Sequence, residues 1–351
     1  MSTSSYKCPN CGGGLKFNPE VQKSKCEYCL SEFTESELGE ISRDIEDKAS
    51  ARSGTEDESG HSHLKGYVCN SCGAEVVTEE TTSATFCYYC HNPVLLTDRL
   101  TGEFKPTKII PFTYDKDKAV DSFLSWAKSK RFVPREFYSA SQLEKITGIY
   151  IPYWMADVKA DIDYSGTGTN IRIWRAGDIE YTEHSEYKIQ RKGAIDVDNM
   201  HEVAMRKIDK GLLSSISPYD ESKAVDFSMS YLSGFFAEKY DIPKADVQPS
   251  IEERAREYAS VMTKETIGSY SRVSMDRSDM NISIKGWDYT LLPAWILTYK
   301  YNGKTYVYAV NGQSGKSFGE LPVDVKKLGL TSGVAAAAMF IFALLGGLLI
   351  W

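Results

Sequence analysis

All eight cysteines of this sequence fall into one pattern used twice, Cys8-x2-Cys11-x14-Cys26-x2-Cys29 and Cys69-x2-Cys72-x14-Cys87-x2-Cys90. Two CxxC knuckles at a fixed separation supply four thiolates, which close a tetrahedral metal site and leave no position open for a substrate. The chemistry implied is structural: two zinc ions, each folding its own ribbon. Disulfides would need an oxidising compartment. The start, MSTSSYKCPN, lacks the charged-then-apolar pattern of a secretory signal. A redox CxxC would open a helix, whereas these pairs sit in short Gly- and Thr-rich stretches. Gly12 and Gly73 each follow the second cysteine of a first knuckle, where a tight turn needs positive φ. A module of about 30 residues buries too little apolar area to fold alone, so the metal must supply the folding energy. His91 meets a ligand set already complete at Cys90 and is expected to be exposed or to lie beside the ligands. His61 and His63, in SGHSH, read as linker.

Five segments must position these groups. Residues 1–35 are the first ribbon, 36–65 an acidic flexible linker with a short helix before Arg52, and 66–97 the second ribbon. Residues 98–329 are an α+β domain, and 330–351 a transmembrane helix. The linker implies ribbons that move relative to each other. From Thr331 to Trp351 there are 21 residues without a charge. As a helix they reach about 30 Å, the thickness of a bilayer's hydrocarbon core. A buried core helix of that length would carry polar residues on at least one side. Lys326 and Lys327 precede the run, which predicts a single pass with the bulk of the chain cytoplasmic.

In the α+β region Val120, Phe123, Leu124 and Ala127 define one apolar helix face. A second helix is expected to start at Ser250, with Glu253 in a capping box and Ile251, Ala255, Tyr258 and Met262 on one side. Strands are expected over Ile149–Tyr164, NIRIWR and DIEYTEHSEYKIQ. Asn302-Gly303 predicts a hairpin between two aromatic-rich strands, and Asn311-Gly312 ends the second of them. The stretches IPYWMADVKADIDYSG and LPAWILTYKYNG share an apolar-Pro-x-Trp entry into a strand, each downstream of an amphipathic helix. They point to two related halves.

Motifs for catalysis are missing. GQSGKS, at Gly312–Ser317, lacks the upstream glycine and following helix of a phosphate loop, and GTG at Gly166–Gly168 reads as a turn. There is no GxSxG and no HExxH, so an enzyme is not expected. Charge argues against nucleic acid. Residues 1–97 hold 8 Lys+Arg against 15 Asp+Glu, the remainder 33 against 33. Residues 66–97 hold no Lys or Arg at all, and phosphate binding draws on such cations. A nucleic-acid contact, the alternative function, would fall to the first ribbon through Lys7, Lys16, Lys23 and Lys25.

The paired ribbons, ISPYD at Ile216–Asp220, YLSGFFAEKYD at Tyr231–Asp241, the LPAW strand, YAVNGQSGKSFGELP at Tyr308–Pro322 and the final apolar run resemble a family of bacterial zinc-ribbon proteins. These occur mostly in low-GC Gram-positive bacteria and are often named after the zinc ribbon of transcription factor IIB. The stretch MHEVAMRKIDKGLL departs from that pattern in regularity. Some members carry labels such as replication protein or helicase-like. Others resemble components of a membrane complex that accompanies flotillin-like (SPFH-domain) proteins and recruits a phage-shock-type coat protein. The resemblance thus implies a membrane-anchored adaptor that gathers cytosolic proteins in an envelope-stress complex.

Overall fold

A computed structural model describes residues 3, 5–50, 64–139 and 143–350. The linker's central residues, with His61 and His63, lie outside the described residues. The first cysteine set folds with β1 (Leu15–Asn18), β2 (Lys23–Cys26) and β3 (Glu32–Phe33), an antiparallel three-stranded sheet. Helix α1 (Glu35–Ser50) follows. Thr34 and Glu37 cap it reciprocally, the Thr34 N–H donating to Glu37 Oε2 at 2.7 Å and the Glu37 N–H to Thr34 Oγ1 at 3.4 Å. The second set spans two hairpins, β4 (Leu64–Val68) with β5 (Glu75–Glu79), and β6 (Thr82–Phe86) with β7 (Pro93–Leu95).

The remaining chain runs β8 (Lys108–Ile109), α2 (Lys116–Lys128), β9 (Thr147–Ala176), β10 (Ile179–Val203), α3 (Lys210–Ile216), β11 (Val225–Asp226), β12 (Phe236–Glu238), α4 (Lys244–Glu265), β13 (Arg272–Tyr301), β14 (Lys304–Asn311), β15 (Ser317–Gly319) and α5 (Val325–Ile350). The large sheet is ordered β11-β8-β13-β9-β12-β6-β7, with β10 paired to β9 and β14 and β15 continuing from β13. The chain is thus a mixed α+β protein with two four-cysteine clusters near its N-terminus and one apolar helix near its C-terminus.

Its centre is an internal duplication. The units β8-α2-β9-β10 and β12-α4-β13-β14 correspond at an offset of 141 residues along the long strands. The parallel pairs Phe236↔Ile149 and Lys108↔Thr290 match at that offset, as do the hairpin pairs Val203↔Tyr153 and Asn311↔Ala294. Ile151 faces Leu292 on the axis between the halves. The two tryptophans of the shared Pro-x-Trp stretches play one role. Trp154 Nε1 donates to the Ile242 carbonyl at 2.8 Å and Trp295 Nε1 to the Tyr114 carbonyl at 2.7 Å, each acceptor two residues before a helix. Each half's short strand pairs with the other half's long strand, so neither half is complete alone.

Four expectations change. The proposed strand Ile149–Tyr164 and NIRIWR are one 30-residue strand, and GTG lies inside it rather than in a turn. Glycine is required there by crowding: a Cβ on Gly168 would sit 2.7 Å from the Tyr270 ring, and one on Gly166 2.6 Å from the Ser274 carbonyl. Helix α4 starts at Lys244, six residues before Ser250, because Pro249 removes only one bond of its second turn. Its buried stripe is Val247, Ile251, Ala255, Ala259 and Thr263, and Tyr258 is exposed. The boundary between the second ribbon and the rest is no seam: β6 pairs with β12 (Ala237↔Ala84), and Leu95, Leu96 and Leu100 are buried. Nor does the first ribbon move freely. Leu15 and Phe17 join the main core, the Phe17 N–H donates to the Ser233 carbonyl at 2.9 Å, and the Thr3 hydroxyl donates to the Val68 carbonyl at 2.6 Å. The linker therefore joins two ribbons that are already packed in place.

Other expectations are met as stated. In α2, Phe123 and Ala127 are buried with Ala119, while Val120 and Leu124 are half-buried. Asn302 and Gly303 both take positive φ, 49° and 79°, between β13 and β14. GQSGKS makes the bend from β14 to β15, where the Asn311 N–H donates to the Lys316 carbonyl at 2.8 Å, and a strand rather than a helix directly follows it.

Candidate metal centres

Each thiolate set converges. The sulfurs of Cys8, Cys11, Cys26 and Cys29 all lie within 4.8 Å of one another, as do those of Cys69, Cys72, Cys87 and Cys90. Cys8 and Cys29 are 3.5 Å apart, as are Cys11 and Cys26. The pairs Cys69–Cys90 and Cys72–Cys87 stand at 3.7 Å. Four sulfurs around a tetrahedral zinc with Zn–S near 2.3 Å would be separated by about 3.8 Å. Both clusters are thus positioned to bind metal ions and are consistent with zinc.

One backbone device makes all four knuckles. The first cysteine's N–H donates to the carbonyl five residues on, and the N–H four residues on donates back to that cysteine's carbonyl. The bonds are Cys8 to Gly13 (2.6 Å) with Gly12 to Cys8 (2.8 Å), and Cys69 to Ala74 (2.9 Å) with Gly73 to Cys69 (2.8 Å). In the second knuckles they are Cys26 to Ser31 (2.9 Å) with Leu30 to Cys26 (3.0 Å), and Cys87 to Asn92 (3.0 Å) with His91 to Cys87 (2.9 Å). The returning N–H requires a left-handed residue, and Gly12 and Gly73 supply it at φ 74° and 75°. Leu30 and His91 hold the same conformation at φ 62° and 56° without being glycine. His91 is exposed and belongs to neither cluster.

Thiol chemistry in each quartet calls for a cation. The Ser31 hydroxyl and N–H pull the Cys29 thiol down to about 6, and its neighbour Cys11 is pushed up to about 12, where protons shared with Cys29 and Cys26 outweigh the Gly13 N–H. In the second set burial raises Cys87, but the N–H groups of Cys90 and Tyr89 outweigh it and bring the thiol to about 7. Burial pushes Cys90 up to about 12. Four sulfurs this close cannot all ionise against one another's charge. A divalent ion relieves that conflict and takes all four as thiolates.

Positioning of the second centre depends on a residue beyond its own cysteines. Arg99 is buried, and its guanidinium donates to Thr78 Oγ1 (3.0 Å) and to the carbonyls of Glu79 and Thr82 (2.6 Å each). It clamps the end of β5 to the start of β6, and thereby one knuckle to the other. The sequence marks it only as a charged residue after an apolar run.

Around the metals, the second knuckles present large apolar side chains to solvent. Tyr28, Leu30, Tyr88 and Tyr89 are all two-thirds or more exposed, and Tyr28 and Tyr89 occupy equivalent positions. Reading the cysteine spacing alone passes over them. The visible signal is the aromatic content of the inter-cysteine pairs, Glu27-Tyr28 and Tyr88-Tyr89, whose side chains a knuckle turns away from its metal. The two centres are neighbours: a Cβ on Gly14 would lie 3.5 Å from the Asn92 side chain.

Comparison with known proteins places the chain beside an uncharacterized relative. It is 31% identical over 348 residues to the uncharacterized protein YdjG of Bacillus subtilis (strain 168), a match covering 98% of each chain. No family model matches. No solved structure matches.

Proposed function

This chain belongs to the same family as the Bacillus subtilis protein YdjG, and from that premise we propose that it is a membrane-anchored zinc-ribbon adaptor without catalytic activity. The observation that carries the reading is that the second thiolate centre and the apolar helix are fixed to one sheet, against whose core the first ribbon packs. β6 and β7 join it through β12, and α5 leaves it after β15. Helix α5 is long and apolar enough to cross a bilayer, and its stretch Val325–Ala343 is not buried in the protein. With Lys326 and Lys327 at its start, the sheet and both ribbons lie on the cytoplasmic side. Each four-thiolate set holds a structural zinc, and the exposed knuckle tyrosines are the recruiting surface.

Aromatic residues held on a rigid knuckle lose little entropy on binding, which is why such residues anchor protein interfaces. A partner that also touches the bilayer meets them at raised effective concentration, so a weak contact suffices. The resemblance to zinc-ribbon components of envelope-stress complexes supplies the partner class, an SPFH/flotillin-like protein or a phage-shock-type coat protein. The test is the full chain carrying Tyr28→Ser, Tyr88→Ser and Tyr89→Ser together. It should keep two zinc ions and its place at the membrane while a fluorescent coat or SPFH partner disperses. Unchanged partner localisation refutes the recruiting surface. Salt-sensitive DNA binding by the parent chain would favour the nucleic-acid reading instead.

A further inference from the structure

The loop after α2 is laid against the start of α5, although the contacting residues Val133 and Lys327 are 194 positions apart in the chain. The Asp324 N–H donates to the Phe132 carbonyl at 2.7 Å, and the Lys327 ammonium donates to the Val133 carbonyl at 3.1 Å. Lys128 at the end of α2 and Lys130 and Arg131 in that loop are all exposed, and Lys326 beside it is exposed too. Among the described residues none of these four cations has an ion-pair partner. The carboxylate nearest Lys326 in sequence, Asp324, is occupied: it accepts the N–H groups of Lys326 and Lys327 at 3.1 Å each and faces the Lys327 ammonium at 3.7 Å. Lys327 is thus turned back to hold the loop, and the other four charges remain free.

Height along the helix identifies what these charges meet. Lys326 stands five residues before the uncharged run that begins at Thr331, a rise of about 7.5 Å. The headgroup layer on one side of a bilayer is roughly 5–8 Å deep. The exposed Val323 and Val325 lie at the same level, where side chains reach the boundary between headgroups and hydrocarbon. A cluster of cations beside exposed apolar residues is complementary to the phosphates of anionic phospholipids.

We propose that Lys128, Lys130, Arg131 and Lys326 form one binding surface for anionic phospholipid headgroups, which holds the sheet at a fixed tilt over the leaflet. The inference rests on the membrane reading above. Its distinctive part is that three of the four cations come from the globular domain, so that lipid composition controls the orientation of the domain and not only its anchorage.

The experiment uses the full chain reconstituted into vesicles of phosphatidylcholine alone or of phosphatidylcholine with phosphatidylglycerol. Trypsin cleavage after Lys128, Lys130 and Arg131 is followed by mass spectrometry, and phosphatidylglycerol retained by the extracted protein is counted. Each engaged cation should contribute about fivefold. Cleavage in the loop is therefore expected to be on the order of a hundredfold slower in the anionic vesicles, with the protection lost at high salt. The variant K128Q/K130Q/R131Q should enter both kinds of vesicle as well as the parent and retain less phosphatidylglycerol. Equal loop cleavage in the two vesicle types, with the chain inserted, overturns the headgroup surface and leaves the membrane reading standing. A chain that enters neither vesicle overturns both.

Discussion

Replacing either duplicated tryptophan by phenylalanine removes one N–H donor and strands one loop carbonyl at the entrance of a helix. The two sites are related by the internal two-fold, yet their surroundings differ. Ile242, whose carbonyl accepts from Trp154, is buried, whereas Tyr114, whose carbonyl accepts from Trp295, is half-open to water. A buried acceptor left without a partner costs about 1–3 kcal/mol, and one that water can reach costs less. Trp154→Phe should therefore destabilise by about 2–3 kcal/mol and Trp295→Phe by about 1 kcal/mol. The register sets Trp154 opposite Tyr289 and Trp295 opposite Gly148, six residues along β9. That is roughly 20 Å, beyond the range of about 7–10 Å within which substitutions couple. The double variant should lose the sum. Urea unfolding of the full chain in detergent, followed by circular dichroism, measures all three. Equal costs, or a larger cost at Trp295, would refute the assignment of the difference to burial. No cost at either would mean that the bonds do not form.

Metal analysis of the reduced protein should give two zinc ions per chain, and Cys26→Ser should give one, since each quartet closes its own site. Ending the chain at Gly329 should move the protein from the membrane pellet to the supernatant on high-speed centrifugation; a full-length chain that stays in the supernatant would remove the tether. Asp115 caps α2: burial raises its pKa, but the Lys118 side chain and N–H outweigh that and hold it below the usual carboxylate value. Its stabilisation is complete above that usual value and fades as pH falls through the lowered one, so Asp115→Ala should cost about 1 kcal/mol at neutral pH and nearly nothing in strong acid, as read by thermal melts.

Local chemistry was the legible part of this sequence. A knuckle is set by six consecutive residues, and Asn302-Gly303 or the face of Phe123 and Ala127 is equally self-contained. The uncharged run from Thr331 needs no neighbour to be read. What stayed hidden depends on residues far away in the chain. GTG is strand because Tyr270 and Ser274, a hundred residues on, press on Gly166 and Gly168. The end of the second ribbon cannot be seen at position 97, because Ala84 finds its partner at Ala237 and Arg99 reaches back to Thr78. Tyr258 fits an apolar helical pattern as well as Ala259 does, and only the sheet beneath α4 chooses between them. The repeated Pro-x-Trp was the one long-range feature with a local signature, since each tryptophan serves its own half.

The exchange of short strands between the halves sets a timetable for biosynthesis. Ile109 pairs with Leu291, 182 residues later. At about 5–20 residues per second a ribosome needs roughly 10–35 s to deliver that partner, and until then β8 has only the two-residue strand β11 to pair with (Val225↔Ile109) and no long strand to join. Contacts this distant in sequence form slowly and leave nascent chains open to aggregation. The completing strand, β13, ends at Tyr301, and α5 begins at Val325. Closure of the sheet and emergence of the apolar helix thus fall within seconds of each other. A cell making this protein must shield the first half for most of its synthesis and then attend to sheet and bilayer together, so depletion of a nascent-chain chaperone should harm it more than a protein whose strands pair in order.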